Sequence, residues 1–308
     1  MTGTAGAGSG NGPAGDAESW TVLRLMRWSG AYLEEKGVER GKLDAEHLLA
    51  HALGTERLQL YLEFDRPLEA AELDGFRPLL RRRASREPLQ YILGRAAFRE
   101  LDLHVDRRVL IPRPETEELV EAVLEWAREE GGEGLTALDV GTGTGAIALS
   151  LALEGPFHHV VGVDNSAEAL EVARVNRDES DLGERVDLRE GFLFRSVRSG
   201  ETFDVVVSNP PYVAESEAGD LQPEVGEWEP GGALFGGPDG LDVIRGFVAE
   251  VGDHLRCGGL LAVEVGADQT EAVAALVADT GQFEEIRVRR DLAGRPRMVL
   301  ARRLLRAS

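Results

Sequence analysis

Leu135-Thr136-Ala137-Leu138-Asp139-Val140-Gly141-Thr142-Gly143-Thr144-Gly145-Ala146 passes from an apolar run of strand length, through a glycine-rich turn, into residues that suit a helix over 146–154. Glycines at alternate positions let the chain turn sharply and let a ligand approach the backbone closely, at the crevice beyond the carboxyl ends of parallel strands. Strand, glycine loop and helix in that order predict an α/β domain with a cofactor at the loop. Which nucleotide it takes stays open at this point, because Gly141, Gly143 and Ala146 also satisfy the looser G-x-G-x-x-G/A spacing of dinucleotide sites. A purely structural glycine turn is the plainer alternative.

Downstream, the pattern repeats as alternating strand and helix. Strands are expected at 160–163, 185–188, 203–208 and 260–265, with helices near 167–177, 239–256 and 268–280. Two final strands near 284–289 and 297–302 are joined through Asp291-Leu292-Ala293-Gly294, which leaves no room for a crossover helix, so that pair should be antiparallel. A mostly parallel sheet closed by an antiparallel hairpin is the Rossmann-like arrangement of methyltransferases.

Upstream, a helix should begin at Pro114, with Glu115, Glu117 and Glu118 suiting the positive end of its dipole, and end at Gly131-Gly132. Between 90 and 112 the apolar residues come in short alternating stretches, read as a β-hairpin linker. Residues 20–89 carry apolar residues at helical spacing, as in Val22, Leu23, Met26 and Leu33, and predict a bundle of four or five short helices. Arg81, Arg82, Arg83 and Arg86 close that bundle and read as a solvated helix face in preference to a partner-binding surface. The Gly-, Ala-, Ser- and Thr-rich residues 1–19 read as a disordered tail without the apolar centre of a signal peptide. The α/β domain is expected over 113–308.

Composition narrows the function. The 308 residues hold 34 Lys and Arg against 55 Asp and Glu, a net charge of −21, and residues 101–308 alone hold 20 basic and 40 acidic side chains. Duplex binding relies on many cations neutralising phosphates, so direct nucleic-acid binding is not expected. Cys257 is the single cysteine, which leaves no intrachain disulfide and no cysteine metal cluster, and suits a reducing cytoplasm. No run of about 18 apolar residues is present to span a bilayer. No metal is expected.

Two further sites carry chemistry. Asp164 ends the strand after the glycine loop, where a carboxylate can accept hydrogen bonds from both ribose hydroxyls of an adenosine. Its alternative role as a helix cap is weakened by Ser166, which already supplies one. Asn209-Pro210-Pro211-Tyr212 follows the strand 203–208 and falls beside the same crevice. Two prolines stiffen the loop and leave carbonyls as acceptors, Asn209 adds a side-chain carbonyl, and Tyr212 a flat face. Together they suit a planar NH₂ group donating to Asn209 and to the Pro210 carbonyl.

Asp-x-Gly-x-Gly-x-Gly, a strand-end Asp and Asn-Pro-Pro-Tyr in this order resemble the amino methyltransferases that use S-adenosyl-L-methionine. Glu87-Pro88-Leu89-Gln90-Tyr91-Ile92-Leu93-Gly94, Leu110-Ile111-Pro112-Arg113-Pro114-Glu115-Thr116-Glu117, Glu229-Pro230 with Ala233-Leu234, and Asp291-Leu292-Ala293-Gly294-Arg295 further resemble the peptide chain release factor N5-glutamine methyltransferase family. The resemblance spans about residues 20–303. It implies a cytoplasmic enzyme that methylates the glutamine of the Gly-Gly-Gln motif of peptide chain release factors and so modulates translation termination. It also implies that Asp139, Gly141, Thr142, Gly143, Thr144, Gly145, Asp164, Leu193 and Asn209 hold the cofactor. Asn209, Pro210, Pro211 and Tyr212 would bind the glutamine, with Asn209, Pro210 and Tyr212 as the catalytic set. Where the family often has Asp-Leu or Asp-Trp beside the adenine, this chain reads Gly191-Phe192-Leu193-Phe194, so adenine should pack on Phe192 or Leu193. Within the same chemistry, a ribosomal-protein glutamine is the neighbouring substrate. Adenine in nucleic acid is a more distant one, and a cofactor-binding scaffold without catalysis would need a broken Asn-Pro-Pro-Tyr loop.

Overall fold

The computed structural model describes residues 19–129, 132 and 134–305. The tail expected over 1–19 lies, apart from Ser19, outside the described residues. So does Gly131, at the expected end of the helix that starts at Pro114.

The chain divides into two compact units, Met1–Arg86 and Glu87–Ser308. The first consists of α1 (Val22–Glu35), α2 (Gly41–Leu53), α3 (Arg57–Leu62) and α4 (Ala70–Ala84). Thr21 caps α1 by accepting from the Arg24 N–H, and the apolar stripes meet through buried Leu25, Leu33, Leu48, Leu49, Leu60 and Phe76. Arg83 departs from the expectation of a solvated basic face. It is 6% exposed, and its Nε donates to Asp44 Oδ2 at 2.7 Å, since it stands on the inner side of α4 while Arg81 and Arg82 stay exposed.

The second unit begins earlier than the linker boundary read from the sequence. Leu89–Leu93 is a single turn of helix, α5, and the hairpin comprises only β1 (Arg95–Phe98) and β2 (Leu101–His104). Tyr91 and Ile92 are buried, the Tyr91 hydroxyl donates to the Val109 carbonyl at 2.5 Å, and Gly94 at φ +73° ends the turn. A short apolar run has no period long enough to separate strand from helix.

The remaining elements are α6 (Pro114–Glu129), β3 (Leu135–Val140), α7 (Ala146–Glu154), β4 (Phe157–Asp164), α8 (Ala167–Glu179), β5 (Val186–Glu190) and β6 (Phe203–Ser208). After a 3₁₀ turn over Glu215–Asp220 come the single-turn helices α9 (Pro223–Gly226) and α10 (Gly231–Leu234). The chain closes with α11 (Asp242–His254), β7 (Leu255–Glu264), α12 (Thr270–Asp279), β8 (Phe283–Arg290) and β9 (Pro296–Arg303). The sheet order is β5-β4-β3-β6-β7-β9-β8. The pairs from β5 to β7 are parallel, and β9 is antiparallel to both β7 and β8, as the short Asp291–Gly294 turn requires.

The central strands are buried on both faces, which is why Val160-Val161 and Val205-Val206-Val207 read as continuous apolar runs. One face packs on α6 and α7 through Leu119, Val123, Leu149 and Leu151. The other packs on α11 and α12 through Ile244, Phe247, Val273 and Val277. From β3 the chain builds outward through β4 to β5, then returns to β6 on the other side of β3. That reversal opens a crevice at the carboxyl ends of β3 and β6.

Candidate active site

A cavity of about 280 Å³ occupies this crevice. Its floor is made by the ends of four strands: Val140, Gly141 and Gly143 after β3, Asp164 and Asn165 after β4, Gly191 to Leu193 after β5, and Ser208 to Pro211 after β6. Each stands at or just after the carboxyl end of its strand, so the sheet register sets their spacing. Ser208 Oγ ties the two central ends together by donating to the Val140 carbonyl at 2.6 Å.

The glycine loop is braced from within its own neighbourhood. Gly141, Gly143 and Gly145 all have positive φ, at +80°, +54° and +84°, which β-carbon-bearing residues rarely adopt. Gly141 and Gly143 face the cavity, and beyond its own chain neighbours no atom lies within 4 Å of where a Gly143 β-carbon would stand. Thr142 instead points into the protein, where its hydroxyl donates to Asp139 Oδ2 at 2.6 Å, and Asp139 Oδ2 also accepts from the Ala148 N–H at 3.2 Å. A β-carbon on Gly162 would meet Thr142 Oγ1 at 2.9 Å, so the glycine in β4 is what lets the loop lie down on the sheet. Burial pushes the Asp139 carboxyl up to about 7, against the pull of Thr142 and Ala148.

Asp164 closes the other side of the loop, with Oδ2 accepting from the Gly143 N–H at 2.8 Å and Oδ1 from the Ser166 N–H at 2.9 Å. Burial raises its pKa, and the backbone donors of Ser166, Gly143 and Asn165 oppose that rise. Ser166 itself caps α8 through the Ala169 N–H. Leu193 is held at φ +52°, a conformation costing a leucine about 1–3 kcal/mol, with its side chain in the cavity wall beside Phe192.

The Asn209 loop is braced from far away in the chain. Asn209 Nδ2 donates to Thr116 Oγ1 at 3.0 Å, and the Thr116 hydroxyl donates to Glu264 Oε2 at 2.8 Å. Thr116 lies in the first turn of α6 and Glu264 ends β7; both are buried, at 5% and 1% exposure. Burial pushes the Glu264 carboxyl up to about 7, with Thr116, Arg297 and Arg113 opposing and Glu115 reinforcing.

Beyond the loop, the Val213 N–H donates to the Leu234 carbonyl, and the following Gly231–Phe235 stretch lays Gly232, Ala233 and Phe235 over the cavity. Arg113 Nη2 holds that strap through both oxygens of Glu229, at 2.8 and 2.9 Å, and the Arg107 guanidinium lies 4.1 Å from the ring centroid of Trp228.

Of the residues singled out from the sequence, the structure brings Gly141, Gly143, Asp164, Leu193, Asn209, Pro210 and Pro211 onto one cavity. Asp139, Thr142, Thr144 and Gly145 do not line it. Asp139 is wholly buried beneath the loop, Thr142 and Thr144 are buried at 5% and 4% exposure, and Gly145 starts α7, so these four shape the loop from behind. Tyr212 is likewise not among the residues that line the cavity. Its carbonyl is held by Gln269 Nε2 at 2.9 Å, and the side chain packs against the core on the α11–α12 face of the sheet, where burial and then the Glu264 charge raise its pKa. Sequence reasoning missed Leu110, Phe235 and Val243 on the wall, and it missed Thr116 and Glu264 as supports. Thr116 stood within a quoted motif, but nothing in the chain announces a partner at Asn209.

No group of three or more His, Cys, Asp or Glu among the described residues could hold a metal ion, and no described helix is long and apolar enough to cross a membrane. Residues 24–94 match the PrmC N-terminal domain and residues 132–229 a methyltransferase domain. A methyltransferase structure from Pyrococcus furiosus shares the fold, with TM-score 0.50 and 19% identity over 67% of this chain and 90% of that one. A release factor glutamine methyltransferase of Geobacter sulfurreducens is 46% identical over 86% of this chain and 90% of its own length, and that of Rhodopirellula baltica is 39% identical over 91% and 95%. With identity of that order over nearly its whole length and a site of this geometry, the chain belongs to the release factor glutamine methyltransferase family.

Proposed function

We propose that the protein transfers a methyl group from S-adenosyl-L-methionine to the side-chain amide nitrogen of the glutamine in the Gly-Gly-Gln motif of peptide chain release factors. The observation that carries this reading is the orientation of Asn209: its NH₂ gives one hydrogen to Thr116, which turns its carbonyl oxygen away from Thr116 as an acceptor for a ligand. An acceptor there suits the N–H bonds of an amide NH₂ and gives nothing to a carboxylate, which has no hydrogen to donate.

The cavity suits the cofactor on its own chemistry. Asp164 offers carboxylate oxygens to ribose hydroxyls, Phe192 and Leu193 offer an apolar face to adenine, and Gly141 and Gly143 admit the methionine part against bare backbone. The cofactor supplies an already activated methyl group. An amide nitrogen is a poor nucleophile because its lone pair is delocalised into the carbonyl. The residues of this chain therefore work by positioning: Asn209 Oδ1 and the Pro210 carbonyl take the two N–H bonds of the glutamine amide, aim its nitrogen and favour the positive charge that develops on it. No general base is needed before transfer, because the methylated nitrogen is far more acidic and loses its proton afterwards. Glycines flanking the glutamine suit entry in an extended conformation.

The helical unit is proposed to grip the protein substrate. It presents a groove lined by Trp20, Leu23, Trp28 and Phe64, with Trp28 and Phe64 about half exposed. A short peptide would reach the cavity but bind poorly without those contacts.

The test mixes the protein with labelled cofactor and, separately, release factor, ribosomal protein and DNA, and maps the label by tandem mass spectrometry. Label on the Gly-Gly-Gln glutamine is the expected outcome. Label confined to ribosomal protein or DNA, or to another release-factor residue, refutes the substrate assignment.

A further inference from the structure

We infer that Thr116 and Glu264 are positioning residues for the methyl acceptor, forming with Asn209 a buried relay that fixes which end of the Asn209 amide faces the reacting nitrogen. The inference rests on the proposed function, and it turns on a count of hydrogens. A threonine hydroxyl has a single hydrogen to give. Here it goes to Glu264 Oε2 at 2.8 Å, so toward Asn209 the oxygen can only accept, and the atom at 3.0 Å must be the amide nitrogen. The Asn209 carbonyl is thereby turned the other way, and a flipped amide would set its carbonyl oxygen against the buried Thr116 oxygen, two acceptors with no hydrogen between them.

The relay depends on the charge of Glu264. As a carboxylate it only accepts, and the direction of the chain is set. Once protonated, it can donate to Thr116, whose hydrogen is then released toward Asn209, and the amide gains a second orientation in which an NH₂ faces the substrate amide. The charged and titratable groups facing Glu264 are Glu115 from α6, Arg113 just before it, Arg297 from β9 and Tyr212 after β6. The two arginines favour the carboxylate, and burial and Glu115 oppose it, which places the changeover at about 7.

Thr116→Val keeps the shape and removes the hydroxyl, and Thr116→Ser restores it. Against whole release factor at saturating cofactor, Thr116→Val should lower kcat about tenfold or more while the cofactor Kd by calorimetry moves less than about threefold, and Thr116→Ser should recover most of kcat. The kcat of the unaltered protein should fall as pH drops through about 7. Glu264→Gln, which offers Thr116 either an acceptor or a donor, should have reduced kcat that no longer changes over that range. Should Thr116→Val fail to fold, the Glu264→Gln profile decides. Thr116→Val within about twofold of the unaltered kcat, or an acid limb that persists in Glu264→Gln, overturns the relay. Absence of glutamine methylation by the unaltered protein would instead overturn the proposed function.

Discussion

The two loops that meet at the cavity are both stiff, but they are stiffened by different means. The Gly141–Gly145 loop is held by neighbours in sequence: Asp139, three residues from Thr142 and nine from Ala148, and Asp164, 21 residues from Gly143. The Asn209 loop is held by Thr116, 93 residues away, and through it by Glu264, 148 residues from Thr116, while Arg113 and Glu229, 116 residues apart, secure the strap that follows. The first loop can form as soon as one βαβ unit has folded. The second is complete only when α6, β7 and the strap have all docked, so cofactor binding and methyl-acceptor positioning should respond separately to substitution.

The sharpest test of that separation is Asn209→Ala, which should lower kcat about 100- to 1000-fold, by analogy with removing one oriented hydrogen-bonding group from a preorganised site. Calorimetry should show cofactor affinity largely retained. Methylation at the ordinary rate would break the comparison, since the second loop would then have no positioning role.

On the first loop, Asp164→Ala should weaken cofactor binding by about 1–3 kcal/mol, roughly 5- to 150-fold, by removing the expected ribose acceptor and leaving the Gly143 and Ser166 N–H groups without it. NADH should show no saturable binding to the unaltered protein. Tight NADH binding with none of S-adenosyl-L-methionine would reassign the loop.

Arg113→Ala removes the partner of a carboxylate that is almost wholly buried, though Arg113 itself is about a third exposed. A loss of about 1–3 kcal/mol in chemical denaturation is expected, with kcat reduced and the cofactor Kd less affected. An unchanged denaturation midpoint would show that the strap is held by other contacts.

A last test concerns pH. Asp139 and Glu264 have folded-state pKa values raised to about 7, so the native protein binds protons more tightly than the unfolded chain, and their contribution to stability falls as pH rises from about 4 to about 7. Asp139→Asn should flatten part of that slope in thermal unfolding across the same window, leaving the part due to Glu264. A slope identical to that of the unaltered protein would mean that Asp139 is ionised on folding at no cost.

The parallel sheet, the antiparallel closing hairpin, the glycine loop and the strand-end Asp164 were legible in the chain because each is signalled within a few residues: apolar runs of strand length, glycines where φ must be positive, a capping Ser166 that releases Asp164 for other work. Local signals also failed where they were too short, as at Tyr91-Ile92-Leu93, one helical turn with the composition of a strand. They failed too where a residue type has two fates, as at Arg83, whose burial depends on Asp44 coming to meet it. By itself, then, the sequence determined the architecture, the cofactor crevice and the family to which the chain belongs. Only the tertiary structure decided which loop residues face the cavity and which end of Asn209 does so. An amide looks the same from either side until a hydroxyl already committed to a buried carboxylate leaves it one way to bond.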